Sequence, residues 1–126
     1  MEISIIGKEG FFKIFPLESR VEIVSSSFSA KGTIELDEVS LKQMIVELYK
    51  CKNCPVDSFD KTKLYTKNKE FLIEIRYTGD EDKIFLLGQY EYNNHILDFE
   101  FLSQKQEVYR CIEQIESFLK SEFTQN

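Results

Sequence analysis

The clearest alternation of apolar and polar positions lies near the end of the chain. The polar residues Asp98 and Glu100 are separated and flanked by apolar ones, Leu97, Phe99 and Phe101. This period of two indicates a strand with one buried face. Apolar residues then recur every three or four positions, which predicts an amphipathic helix over residues 104–121: Val108, Cys111, Ile112, Ile115, Phe118 and Leu119.

Capping signals accompany both helices that the pattern predicts. Ser103, followed three residues later by Gln106, fits a capping box at the start of the final helix. An earlier apolar stripe predicts a helix over residues 38–52, with Asp37 or Ser40 as its cap: Leu41, Met44, Ile45, Leu48 and Tyr49. Asn53 then ends this helix.

The rest of the chain reads as strands. Residues 1–15 contain two short strands around a Lys8–Glu9 turn, and residues 20–36 contain one long strand or two, since the apolar parity changes near Ser25. Further strands cover residues 61–67, 69–78, 83–92 and 95–102, with a hairpin turn at Asn93–Asn94. The sequence therefore predicts an α+β fold: an antiparallel meander sheet of about six strands with two amphipathic helices, in a single domain over residues 1–126.

Charge is distributed unevenly along the chain. The formal net charge is −6; residues 1–79 carry 12 acidic and 12 basic side chains, whereas residues 80–126 carry 10 acidic and 4 basic ones. Such an excess argues against nucleic-acid binding and suits a partner with a basic surface, although solubility alone can also explain it.

The cellular compartment is predicted from the absence of targeting and membrane-spanning signals. The first 15 residues show no basic segment followed by an apolar run, and no apolar run approaches the length of a membrane span. The three cysteines do not suggest a disulfide framework. We therefore expect a cytoplasmic protein that does not bind membranes, as a monomer or a weak homodimer.

The residues with the most chemical potential are three cysteines and one histidine. Cys51 and Cys54 could form a redox pair, but their place at the end of a helix disfavours a thiolate. Together with Cys111 and His95 they could bind zinc, or they could be incidental. His95 could act as a base beside a carboxylate, although a structural role is more typical of a histidine at a hairpin corner. We expect no enzyme, no cofactor and no metal site.

A basic run surrounds Tyr65: Lys61, Lys63, Lys67 and Lys69. These lysines with a ring among them could bind an oligonucleotide, or they could protect an exposed edge strand against aggregation. The acidic balance of the chain favours protection of an edge.

Three passages are similar to one group of proteins: AKGTIELDEVSLKQMIVELYKC, the strand pair FLIEIRYTG and KIFLLGQYEY, and ILDFEFLSQKQEVYRCIEQIESFL. In these patterns the chain resembles the WapI-family immunity proteins, which protect bacteria against polymorphic or contact-dependent toxins. The resemblance implies a protein that binds and neutralises a cognate toxin domain, often a nuclease, by occluding its active face.

For this function we expect the partner to contact exposed acidic and tyrosine side chains: Asp80, Glu81, Asp82, Tyr90, Glu91, Tyr92, Asp98 and Glu100. The last helix adds further acidic surface through Glu107, Glu113, Glu116 and Glu122. The alternative is a small adaptor or regulatory ligand-binding protein, which could also be stabilised by a metal bound to the cysteines and His95.

Overall fold

The computed structural model describes residues 1–26, 28–53, 61–66, 68–78 and 82–123. Its eight strands are β1 (Ile3–Lys8), β2 (Gly10–Phe15), β3 (Arg20–Ser25), β4 (Phe28–Thr33), β5 (Lys61–Tyr65), β6 (Phe71–Tyr77), β7 (Lys83–Tyr92) and β8 (His95–Gln104). The two helices are α1 (Glu38–Lys52) and α2 (Lys105–Phe123), and a single 3₁₀ turn spans Pro16–Glu18. Neither described helix contains an apolar segment long enough to cross a lipid bilayer.

All strand pairs are antiparallel, and the order across the sheet is β4-β3-β2-β1-β8-β7-β6-β5. The predicted α+β meander with two helices is confirmed, but it has eight strands instead of about six. Residues 20–36 form two of these strands, because the parity change near Ser25 is a tight turn between β3 and β4. Ser26 there adopts a positive φ of 53°.

Two four-stranded meanders make up this sheet, and a narrow seam joins them. β1 and β8 pair only at Gly7–Ser103 and Lys8–Leu102. The sheet is nevertheless one curled layer, since the Phe12 ring on β2 lies 5.5 Å from the Phe71 ring on β6. In a flat sheet these strands would be four spacings apart, about 19 Å. The inner sides of the two meanders therefore share one core.

The helix boundaries confirm one capping prediction and correct two. The Asp37 carboxylate accepts a hydrogen bond of 2.7 Å from the Ser40 amide, so Asp37 is the cap of α1 and Ser40 is already helical. Ser103 is not the cap of α2: it still belongs to β8, and its hydroxyl donates to the Ile6 carbonyl at 2.7 Å. Ser103 instead lies at the seam between the meanders, opposite Gly7.

Helix α2 takes the place of a neighbouring strand along most of β1. The Gln114 side chain accepts a hydrogen bond from the Ser4 amide at 2.8 Å, and Glu107 accepts one from the Ile6 amide at 2.9 Å. Glu107 also pairs with Arg110 at 2.6 Å. Two edge amides that β8 does not reach are thereby satisfied by side chains of the helix.

Replacing Gln114 with alanine should lower the free energy of unfolding by about 1–3 kcal/mol, because the buried Ser4 amide loses its acceptor. Urea unfolding measures the change. Gln106→Ala, at an exposed position of the same helix, should change stability by less than about 0.5 kcal/mol. Equal effects from the two substitutions would contradict this role of Gln114.

Candidate binding surface

The β7–β8 hairpin presents a continuous outer surface. Its two-residue turn, Asn93–Asn94, has positive φ at both positions (50° and 66°), as a tight hairpin turn requires. The register places Glu91 opposite Ile96, Gln89 opposite Asp98 and Leu87 opposite Glu100, with all six side chains on the outer side of the sheet. We call these six residues the acidic β7–β8 face.

Three carboxylates give this face its charge. Glu91, Asp98 and Glu100 are all exposed, and within the described part of the chain none of them forms a salt bridge. Asp98 accepts one hydrogen bond, from the Gln89 side chain at 3.2 Å. The neighbouring strand β6 is different, since Glu74 there pairs with Arg76 at 2.7 Å. The acidic β7–β8 face thus carries a local charge of −3, with no basic residue among its six members.

Apolar side chains flank the carboxylates. Ile96 is 59% exposed and Leu102 is 45% exposed, and both share the outer parity with Asp98 and Glu100. A groove of about 280 Å³ follows β8 where it meets the turns of the first meander, and it is lined by Lys8, Glu9, Ser26, Phe85, Glu100, Phe101 and Leu102. A surface with exposed apolar groups among charges resembles the interfaces that proteins use for one another.

The structure brings together only some of the predicted contact residues. Glu91, Tyr92, Asp98 and Glu100 are exposed on the same hairpin. Asp82 is also exposed but precedes β7 at its opposite end, about 30 Å from Tyr92 along a ten-residue strand. There its carbonyl accepts a hydrogen bond from the Lys105 amide at 2.9 Å. Asp80 and Glu81 lie outside the described residues.

The prediction that Tyr90 contacts a partner is wrong, because Tyr90 is a core residue. It is only 4% exposed, and its hydroxyl donates to the Thr33 carbonyl at 2.6 Å. Its ring lies over Gly32, where any Cβ would overlap the Tyr90 hydroxyl. Burial, together with the nearby Glu70, raises the pKa of Tyr90. Tyr92 stacks on this ring at 6.3 Å between centroids and is itself 45% exposed, so of these two tyrosines a partner can reach only Tyr92.

The four acidic residues predicted to add surface charge on α2 also include both structural and exposed side chains. Glu107 binds the edge of β1 and Arg110, so it is a structural residue and not a free surface charge. Glu116 accepts a hydrogen bond from the Tyr49 hydroxyl at 2.7 Å, which raises the pKa of Tyr49. Glu113 and Glu122 are exposed.

The cysteines and His95 do not meet in the described part of the chain. Cys51 and Cys111 are buried in the core, whereas His95 is exposed beside the hairpin turn. Among the described residues, no three His, Cys, Asp or Glu side chains are arranged to hold a metal ion. Cys54, the remaining member of the predicted set, lies outside the described residues.

Cys111 should make stability fall at alkaline pH. Burial raises the pKa of its thiol from 9.0 to about 12, so above pH 9 the unfolded chain loses this proton while the folded chain keeps it. The stability that the buried Cys111 thiol contributes is therefore fully present below pH 9 and is lost as the pH rises toward 12. Between about pH 9 and pH 11 the native sequence should lose stability more steeply than Cys111→Ala, by up to about 1.4 kcal/mol per pH unit. Urea unfolding at several pH values tests this; parallel curves for the two proteins would contradict it.

Two residues near the acidic β7–β8 face could not be placed there from local sequence patterns. One is Ser25, whose hydroxyl binds both the amide (3.2 Å) and the carbonyl (2.9 Å) of Glu100 from a strand 75 residues away. The other is Phe28, which the β3–β4 register places on the same side of the sheet as the core residues Val21 and Ile23 but which is 69% exposed. By contrast, the shared parity of Ile96 and Leu102 with Asp98 could have placed both on the face.

No family model, no curated protein and no solved structure matches the chain. The resemblance to WapI-family immunity proteins stays a prediction.

Proposed function

We propose that this protein is a cytoplasmic immunity protein, which binds a cognate bacterial toxin domain through the acidic β7–β8 face and blocks it without catalysis. The toxin domain that suits this face is a nuclease, because a nuclease binds its phosphate-rich substrate on a basic surface. The acidic face would cover that basic surface and exclude the substrate.

One observation carries this proposal: a rigid hairpin holds three exposed carboxylates that form no salt bridge with any described residue. All ten residues of β7 pair with β8, and the rings of Tyr90 and Phe99 on the inner side pack around Phe71. Charges on such a scaffold lose little conformational freedom on binding. They would attract a basic partner over several ångströms and would also select it against acidic proteins.

The apolar residues around the carboxylates would supply affinity. Ile96 and Leu102, on the same side of the sheet as the carboxylates, are 59% and 45% exposed. Tyr92 is 45% exposed at the end of the hairpin, on the opposite side, where it stacks on Tyr90. Aromatic and aliphatic side chains that become buried at the centre of an interface contribute most of the binding energy, whereas exposed charges mainly set the association rate. The mixture on this hairpin therefore fits a binding surface better than a surface that serves solubility alone.

The first test concerns the neighbouring gene and its product. We expect the gene directly upstream to encode a long protein that ends in a toxin domain, and we expect that domain to form a one-to-one complex with this protein. Biolayer interferometry with the purified toxin domain should give an association rate that falls at least about tenfold between low and high salt, because salt screens the attraction.

The matched control is a toxin domain from an unrelated toxin of similar net charge, which should not bind. Failure of the upstream domain to bind, or an association rate independent of salt, would contradict the proposed function. Loss of nuclease activity in the complex, measured by cleavage of a labelled DNA or RNA, would show that the active face is covered.

A further inference from the structure

We propose that the free edge of β8 at Ile96 and Asp98 is a docking site for an extended, basic segment of the partner protein, which adds to the sheet as a further strand. This inference rests on the proposed function and specifies how the acidic β7–β8 face binds its partner.

The hydrogen-bonding pattern of β8 shows which of its backbone groups face this edge. In the two-residue hairpin, Tyr92 and His95 form a hydrogen-bonded pair, so the odd-numbered residues of β8 bond to β7 and the even-numbered ones point the other way. The Ser25 hydroxyl confirms the direction, since it meets both the amide and the carbonyl of Glu100.

The outward amide and carbonyl groups of the even-numbered residues have hydrogen-bond partners only toward the C-terminal end of β8. β1 pairs with β8 at Leu102 and Ser103, and Ser25 then binds Glu100. Within the described part of the chain, nothing pairs with the outward amide and carbonyl groups of Ile96 and Asp98. An edge with such unpaired groups is a template for another strand.

The side chains beside this edge define the class of segment that fits. Asp98 and Glu100 lie on the outer side, where lysine or arginine at alternate positions of an added strand would meet them. Phe28 lies directly across from Ser25 in the β3–β4 register, one strand spacing from the residue that binds Glu100, and is 69% exposed. It can pack against apolar residues at the intervening positions.

The charge at this edge also argues against a second copy of the chain as the occupant. Two β8 edges paired with each other would place carboxylates opposite carboxylates, which is destabilising. The terminal strands of the sheet carry the opposite charge, with exposed Lys31 on β4 and Lys63 on β5, as edges protected against aggregation commonly do. The β8 edge therefore selects a basic strand from another protein.

Hydrogen exchange measured by NMR on the full ¹⁵N-labelled chain tests the inference. In the free protein the amides of Ile96 and Asp98 should exchange at least about tenfold faster than those of Leu97 and Phe99, which bond to β7. Adding a blocked decapeptide of alternating lysine and valine should slow exchange at Ile96 and Asp98 by at least about tenfold at saturation.

The control probe is the same decapeptide with N-methyl groups on alternate residues, which keeps the charge but cannot pair as a strand. It should bind at least about tenfold more weakly. On the protein side, Asp98→Pro should weaken binding of the unmodified peptide at least about tenfold relative to Asp98→Ala. Both variants lose the carboxylate, but only proline also removes the outward amide, and the bonds to β7 stay intact because Asp98 points away from it.

Three results would overturn strand addition. They are slow exchange at the Ile96 and Asp98 amides in the free protein, no binding of the lysine–valine peptide, and equal binding of the unmodified and N-methylated peptides. Protection that rises with the concentration of the protein alone would identify a second copy as the occupant and would also overturn the proposal. The proposed function is judged separately, by binding of the toxin domain: salt-dependent binding there without protection of Ile96 and Asp98 keeps the function and rejects this mode.

Discussion

Replacing Phe71 with alanine should lower the free energy of unfolding by about 3–5 kcal/mol, which is a large share of the stability of a domain of this size. Phe71 is 1% exposed, and its ring lies 5.5 Å from Phe12, 6.3 Å from Tyr90 and 6.2 Å from Phe99. Phe12 belongs to one meander, and Tyr90 and Phe99 belong to the other. Because the backbone seam between the meanders is only two residue pairs wide, this aromatic cluster is a main contact that keeps the sheet curled.

The matched control for Phe71→Ala is Phe28→Ala. The same side chain is removed, but Phe28 is 69% exposed, so we expect a change of less than about 0.5 kcal/mol. Urea unfolding followed by circular dichroism measures both variants. If Phe71→Ala costs no more than Phe28→Ala, the aromatic cluster does not hold the two meanders together.

The local part of this fold could be predicted from sequence because its signals are local. The apolar stripe of α1 and the Asp37 cap lie within one segment, and the turn at Asn93–Asn94 uses residues that tolerate positive φ. The alternation in β8 likewise placed Asp98 and Glu100 on the exposed side of the sheet. Each of these features depends on neighbours a few residues away.

The long-range part could not be predicted in this way. Ser103 and Gln106 match a capping box, but the Ser103 hydroxyl instead meets the Ile6 carbonyl from a strand 97 residues earlier. Gln114 and Glu107 look like ordinary surface residues of an amphipathic helix, yet they bind the edge of β1, 110 and 101 residues away. Such partners become visible only when the curled sheet sets the helix beside β1.

The burial of Tyr90, in contrast, could have been predicted from the sequence. Tyr90 shares the parity of Ile84 and Leu86, which are both buried, and a strand residue of that parity faces the core. Its hydroxyl does not require solvent, since the Thr33 carbonyl accepts its hydrogen bond. For tyrosine in a strand, parity is a better guide to exposure than the polarity of the hydroxyl group.

Reversing the three charges of the acidic β7–β8 face should slow association with the toxin domain at least about tenfold at physiological salt. The variant is Glu91→Lys with Asp98→Lys and Glu100→Lys, at exposed positions that form no salt bridge in the described part of the chain. Stopped-flow or interferometry kinetics measure the rate, and circular dichroism checks that the variant is folded.

The matched control for this triple variant is Glu113→Lys with Glu116→Lys and Glu122→Lys, which makes the same change of net charge at exposed positions of α2. If the acidic β7–β8 face guides the encounter, the control should slow association by less than about threefold, because charges farther from the interface than the Debye length are screened. The difference between the two variants should shrink as salt rises. Equal slowing by both variants would mean that the overall charge of the chain, and not this face, attracts the partner.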